Sequence, residues 1–169
     1  MLRANPWTLA LVVAAAALVA AAAPAVLAAG APPAAHAHDG APGATVKLDH
    51  GRKWASDAPL RDGMGRIRGL VAPKVAGAHA GTMGTAEYAA LAGQVEVEAG
   101  KIVANCKLPP EADAVLHGVL SDLMAGTDAM AGRGKATAPR DGFVKVVAAV
   151  NDYGRTFEHP GWKPIRTGD

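Results

Sequence analysis

Four stretches of this chain space their large apolar residues three and four apart, which commits each stretch to an amphipathic helix with one face against a core. Leu60, Met64, Ile67, Val71 and Val75 mark the first, and Tyr88, Leu91, Val95, Ala99, Ile102 and Cys106 the second. Ala112, Leu116, Val119, Leu123 and Met130 mark the third, widened by Val115, Leu120 and Met124; Phe143, Val146, Val147, Val150, Tyr153 and Phe157 mark the fourth. The stop and start signals agree with this division. Ser56 or Asp57 caps the first helix, with Pro59 in its first turn and Pro73 limiting its end. Thr85 caps the second, Pro109 and Pro110 end it and begin the third, and the loop of residues 132–135 stops the third. The fourth finishes before Pro160, because a residue preceding proline avoids the helical region.

Short connections between four such segments predict an all-α fold, an antiparallel up-down-up-down four-helix bundle over residues 56–159. Aromatic residues are only 4% of the chain, which suits thin, closely packed helices and starves a β-sandwich. Gly63, Gly65 and Gly69 weaken the first helix by about 1 kcal/mol each. The other arrangement is therefore a three-helix core with the first helix packed differently.

Ahead of the bundle, Arg3 is followed by an uncharged, largely Ala, Leu and Val run from Trp7 to Ala29, the layout of a secretory signal peptide. Small residues at Ala28, Ala29, Ala35 and Ala37 place cleavage after residue 29 or as late as residue 37. Retention as an uncleaved anchor is the alternative, since a spanning helix needs roughly 20 apolar residues. Residues 30–55 read as a flexible Ala, Pro and His leader with an extended lead-in, and 160–169 as an irregular tail. About 130 residues remain after export to the periplasm or the medium, enough for one domain. Cys106 is the only cysteine, so packing and no internal disulfide must hold the fold.

Alternating helix directions would bring the start of the first helix, the end of the second, the start of the third and the end of the fourth to one end of the bundle. Met64 and His117 then lie level, each about seven residues or roughly 10 Å deep. Cys106 and His159 belong to the same end, flanked by His50, Trp54 and Trp162. Thioether, thiol and imidazole together make a soft-ligand site, suited to cuprous copper through Met64, Cys106, His117 and His159. Each residue also has a structural role: Met64 and Cys106 sit on core stripes, Asp113 can hold the His117 ring, and His159 can cap a helix C-terminus. The site requires His117 to face inward; if it faces solvent the site does not form. His36 and His38 in the leader are a second copper candidate, because cleavage after Ala37 would leave His38 with a free amine beside its imidazole. His79 with Met83 is a weaker pair in the opposite loop.

No C-x-x-C-H, H-E-x-x-H, G-x-S-x-G or phosphate-binding glycine loop occurs, and Asp62 and Asp122 lack a paired nucleophile, so the chain reads as non-enzymatic. Seventeen basic and fifteen acidic residues are scattered along it, which offers no nucleic-acid footprint and no membrane patch beyond the signal peptide. The partners this leaves are a metal ion, haem or another periplasmic protein, and a structural or interaction role without any cofactor explains the same residues.

The segments KLDHGRKWASDAPLRDGMGRIR (47–68), IVANCKLPPEADAVLHGVLSDLMAGTDAM (102–130) and VKVVAAVNDYGRTFEHPGW (144–162) resemble a family of small exported proteobacterial proteins. That resemblance implies export and a helical domain but supplies no activity. In architecture the chain is also similar to small periplasmic b-type cytochromes, four-helix bundles that hold haem between a methionine early in the first helix and a histidine late in the fourth. Met64 and His159 match those positions, and this likeness implies haem b and electron transfer as the second reading.

Overall fold

The computed structural model describes residues 47–133 and 137–167. The expected signal peptide, the leader before Lys47 and the candidate ligands His36 and His38 lie outside these residues.

The fold is all-helical, with no strand among the described residues. Helix α1 spans Ala58–Val71, followed by a 3-10 turn, Ala72–Lys74, and the five-residue α2, Val75–His79. Three long helices follow: α3 (Thr85–Asn105), α4 (Pro110–Met130) and α5 (Pro139–Thr156). Asp57 caps α1 from an extended backbone, its Oδ1 accepting the Leu60 N–H at 2.9 Å. Pro73 acts as expected at the end of α1. Lacking an N–H, it tightens the chain into the 3-10 turn, and Val75 belongs to α2 instead of continuing the first stripe.

Two boundaries differ from the sequence expectation. Thr85 is the first residue inside α3; the cap is Gly84, whose N–H donates to the Glu87 carboxylate at 3.1 Å. Helix α5 ends at Thr156, and Phe157 is extended although its spacing from Tyr153 is helical. Its backbone leaves the helix to pair with the lead-in: the Trp54 N–H donates to the Thr156 carbonyl at 2.9 Å, and the Glu158 N–H to the Trp54 carbonyl at 2.8 Å. The Thr156 carbonyl would find no helical donor in a further turn, because residue 160 is proline, and the Trp54 N–H supplies it instead.

Helices α4 and α5 pack most extensively, then α1 with α3, then α3 with α4. At the α4–α5 crossing a Cβ built on Gly126 would stand 2.8 Å from the Val146 side chain and 2.9 Å from the Gly142 carbonyl. One on Gly142 would stand 2.6 Å from the Met130 nitrogen, so the two backbones touch there. Contacts run in opposite order along the partners: Gly63 meets Ile102 while Arg66 meets Glu98, and Gly126 meets Val146 while Met130 meets Gly142. The core between the helices is filled by Leu60, Met64, Ile67, Val95, Ile102, Leu116, Leu123, Met130, Val146, Val150, Tyr153 and Phe157, all essentially without exposure. The described part of the tail, residues 160–167, has no helix or strand and folds back onto α5. Asn151 accepts the Ile165 N–H at 2.8 Å and donates to its carbonyl at 3.0 Å, and Ile165 is buried.

Candidate functional site

The C-terminal end of α5 gathers the lead-in, the start of α1, the segment between α3 and α4, and the turn carrying His159. Asp57 ties two of these together: one carboxylate oxygen caps α1 and the other accepts the Lys107 N–H at 2.6 Å. The Arg61 guanidinium donates to the Ser56 carbonyl and, at 3.2 Å, to the Ser56 hydroxyl, while Ser56 donates to the Glu158 carbonyl. Beneath them lies an aromatic cluster. Tyr153 stacks on Phe157 with ring centres 5.6 Å apart and meets Trp162 edge-on at 4.9 Å; Trp162 meets His159 at 4.8 Å.

The hydroxyl of Tyr153 and Nδ1 of His159 share a hydrogen bond of 2.9 Å. Burial pushes the Tyr153 phenol well above its ordinary range, so it stays protonated. His159 is pushed below its usual value, first by burial and then by the Arg61 charge, with Asp62 opposing. The ring is therefore held neutral near neutral pH, and its Nε2 is the nitrogen left for other partners. Burial, with Asp57 and Asp113 adding to it, pushes the Cys106 thiol up, so it is a poor source of thiolate.

The four residues expected to share a soft-metal site do not converge as one. Met64 is 0% exposed within the aliphatic core, inward as expected but out of reach of solvent. Cys106 is half-buried at the C-cap of α3. The expectation that His117 faces inward is corrected: its side chain is 68% exposed. Leu116 points into the core, and the next residue lies about 100° further round the helix. Its pairing with Asp113 is real, Nδ1 lying 2.9 Å from the Asp113 carbonyl and 3.3 Å from its carboxylate, but on the outer surface. His159 is corrected too, since it lies three residues beyond the end of α5 and cannot cap that helix. No group of three His, Cys, Asp or Glu side chains among the described residues is placed to hold a metal ion.

What the sequence reading missed is the company His159 keeps. Tyr153 was legible as a core residue, but its hydroxyl was not assigned a partner. A cleft of about 180 Å³ beside it is lined by Gly65, Arg68, His159, Gly161, Trp162 and Lys163. The only advance sign was the density of polar and aromatic residues between Tyr153 and Lys163. Comparisons with family models, curated proteins and solved structures find no match to the chain.

Proposed function

We propose that the chain is an exported, non-enzymatic protein of the periplasm or medium, an up-down-up-down bundle of α1, α3, α4 and α5, acting as a protein-interaction domain through the outer face of α3. The reversed order of contacts in the α1–α3 and α4–α5 pairs supports the antiparallel arrangement. The observation that carries the interaction reading is a second apolar stripe on α3, on the side away from the core. Its inner side is core, and its outer side presents Ala86, Ala90, Gly93, Val97, Gly100 and Ala104, all exposed, at alternating intervals of four and three. Val97 is 58% and Val103 64% exposed. The stripe is edged by Gln94 and Lys101, whereas the outer face of α5 carries Arg140, Asp141, Lys145 and Arg155 beside its exposed Val144; a continuous exposed apolar stripe marks a surface suited to a partner.

The spacing of these six positions is symmetric about Val95. Ala86 mirrors Ala104, Ala90 mirrors Gly100, and Gly93 mirrors Val97. A second α3 laid antiparallel meets it in register, the self-complementarity a two-fold interface requires. Sedimentation velocity from micromolar to near-millimolar protein tests this. A dimer forming with concentration is expected, and Val97→Glu should keep it monomeric with unchanged helix content. A wild-type protein monomeric throughout, indistinguishable from Val97→Glu, removes the reading.

Copper and haem b form no part of this proposal, because the residues available do not fit them. Met64 is closed inside the core and His117 faces solvent.

A further inference from the structure

The cleft beside His159 combines cationic, imidazole and aromatic side chains in its lining. Of its six lining residues, Arg68 and Lys163 are cationic, His159 is an imidazole, Trp162 is a flat aromatic, and Gly65 and Gly161 add no side chain. No carboxylate lines it. The Arg68 Nε–H donates to the Lys163 carbonyl, which pins the guanidinium to the wall and leaves its two terminal nitrogens without an assigned partner there. A Cβ at Gly65 or Gly161 would meet nothing within 4 Å, so both flanks of the cleft stay open. Tyr153 holds one edge of the His159 ring from beneath. The other edge, with Nε2, is the one available to the cleft.

We propose that this cleft binds a small tetrahedral oxyanion of the phosphate type. Arg68 supplies a fork of N–H donors, the geometry that matches two oxygens of one anion. Lys163 supplies a point charge from the tail, and His159 a third donor from the turn after α5 in the tautomer with its proton on Nε2, for which the Tyr153 hydroxyl donates to Nδ1. Three donors, one from α1 and two from the segment after α5, suit a tetrahedral anion better than a planar carboxylate, which the Arg68 fork alone would satisfy. The site is half-open and its charges are partly solvated, so binding is of modest strength. The charged and titratable groups acting on His159 are Arg61 and Asp62 from α1 and Tyr153 from α5, with Arg68 and Lys163 across the cleft. Of these only Asp62 is acidic, and a bound anion adds to it.

The test is an NMR titration of the exported protein with inorganic phosphate against sodium chloride at matched ionic strength, following the Trp162 indole and the His159 ring. Saturable shifts of both are expected with phosphate and not with chloride, together with a rise in the pH at which His159 titrates. Arg68→Gln should weaken binding about tenfold, the loss of one charge-assisted contact. Lys163→Gln, in an exposed tail position where folding is not at stake, should weaken it severalfold. Shifts that track ionic strength alone, or equal affinity in wild type and Lys163→Gln, overturn the site. Acetate binding as tightly as phosphate overturns the tetrahedral assignment.

Discussion

His159 takes its properties from what surrounds it, and those surroundings set a pH dependence for the whole fold. Burial and Arg61 lower its folded value below the usual 6.5, against the partial opposition of Asp62. The unfolded chain therefore binds the proton more tightly than the folded one, and stability rises with pH through this group. Its contribution is fully present above about 6.5 and is lost as pH falls through the lower folded value. Urea unfolding measured from pH 7.5 down to pH 5 should show this loss, and His159→Gln should flatten the slope; an unchanged slope would show that another group is responsible. At this scale the sequence was only partly readable. The Asp113–His117 pair was visible from i to i+4 spacing, but its side of the helix was not, because one residue of phase separates Leu116 in the core from His117 in water. The Tyr153–His159 bond was invisible because Tyr153 fits a core stripe on period alone.

Among the elements, the glycines divide by what lies above them. A Cβ on Gly126 would stand 2.9 Å from the α5 backbone, so no side-chain movement alone makes room for it. Gly126→Ala gains about 1 kcal/mol of helix propensity but forces α4 and α5 apart, so a net loss of about 1–2 kcal/mol is expected in denaturant unfolding. Gly118 lies in the same helix with nothing within 4 Å. Gly118→Ala should instead stabilise by about 0.5–1 kcal/mol, and a loss there would contradict its open surroundings. Helix positions were legible from period and punctuation: α3, α4 and the cap of α1 fall within a residue or so of expectation. The early end of α5 was not, because the competing partner of Phe157 and Glu158 is Trp54, about a hundred residues away, and no local rule contains it.

For the molecule as a whole, the all-helical class followed from four periodic segments, whereas the roles of the two chain ends did not. The tail reads as irregular from its prolines and glycine, yet Asn151 holds both backbone groups of Ile165. Asn151→Ala should free the tail: hydrogen exchange at the Ile165 amide is expected to speed up while the core amides of α5 stay protected, with about 1–2 kcal/mol lost overall. Equal protection in the variant would show that burial of Ile165 alone holds the tail. The clamp of Trp54 onto Thr156 and Glu158 has a consequence in time. Ser56 and its acceptor Glu158 stand 102 residues apart. A chain made from its N-terminus thus holds one half of this junction long before the other half exists, and α1 waits with its entrance unsecured. Closing so distant a contact is entropically slow. Completion of the last helix is then the event that releases the finished fold, and chains cut short before Thr156 are the ones a protease would find open.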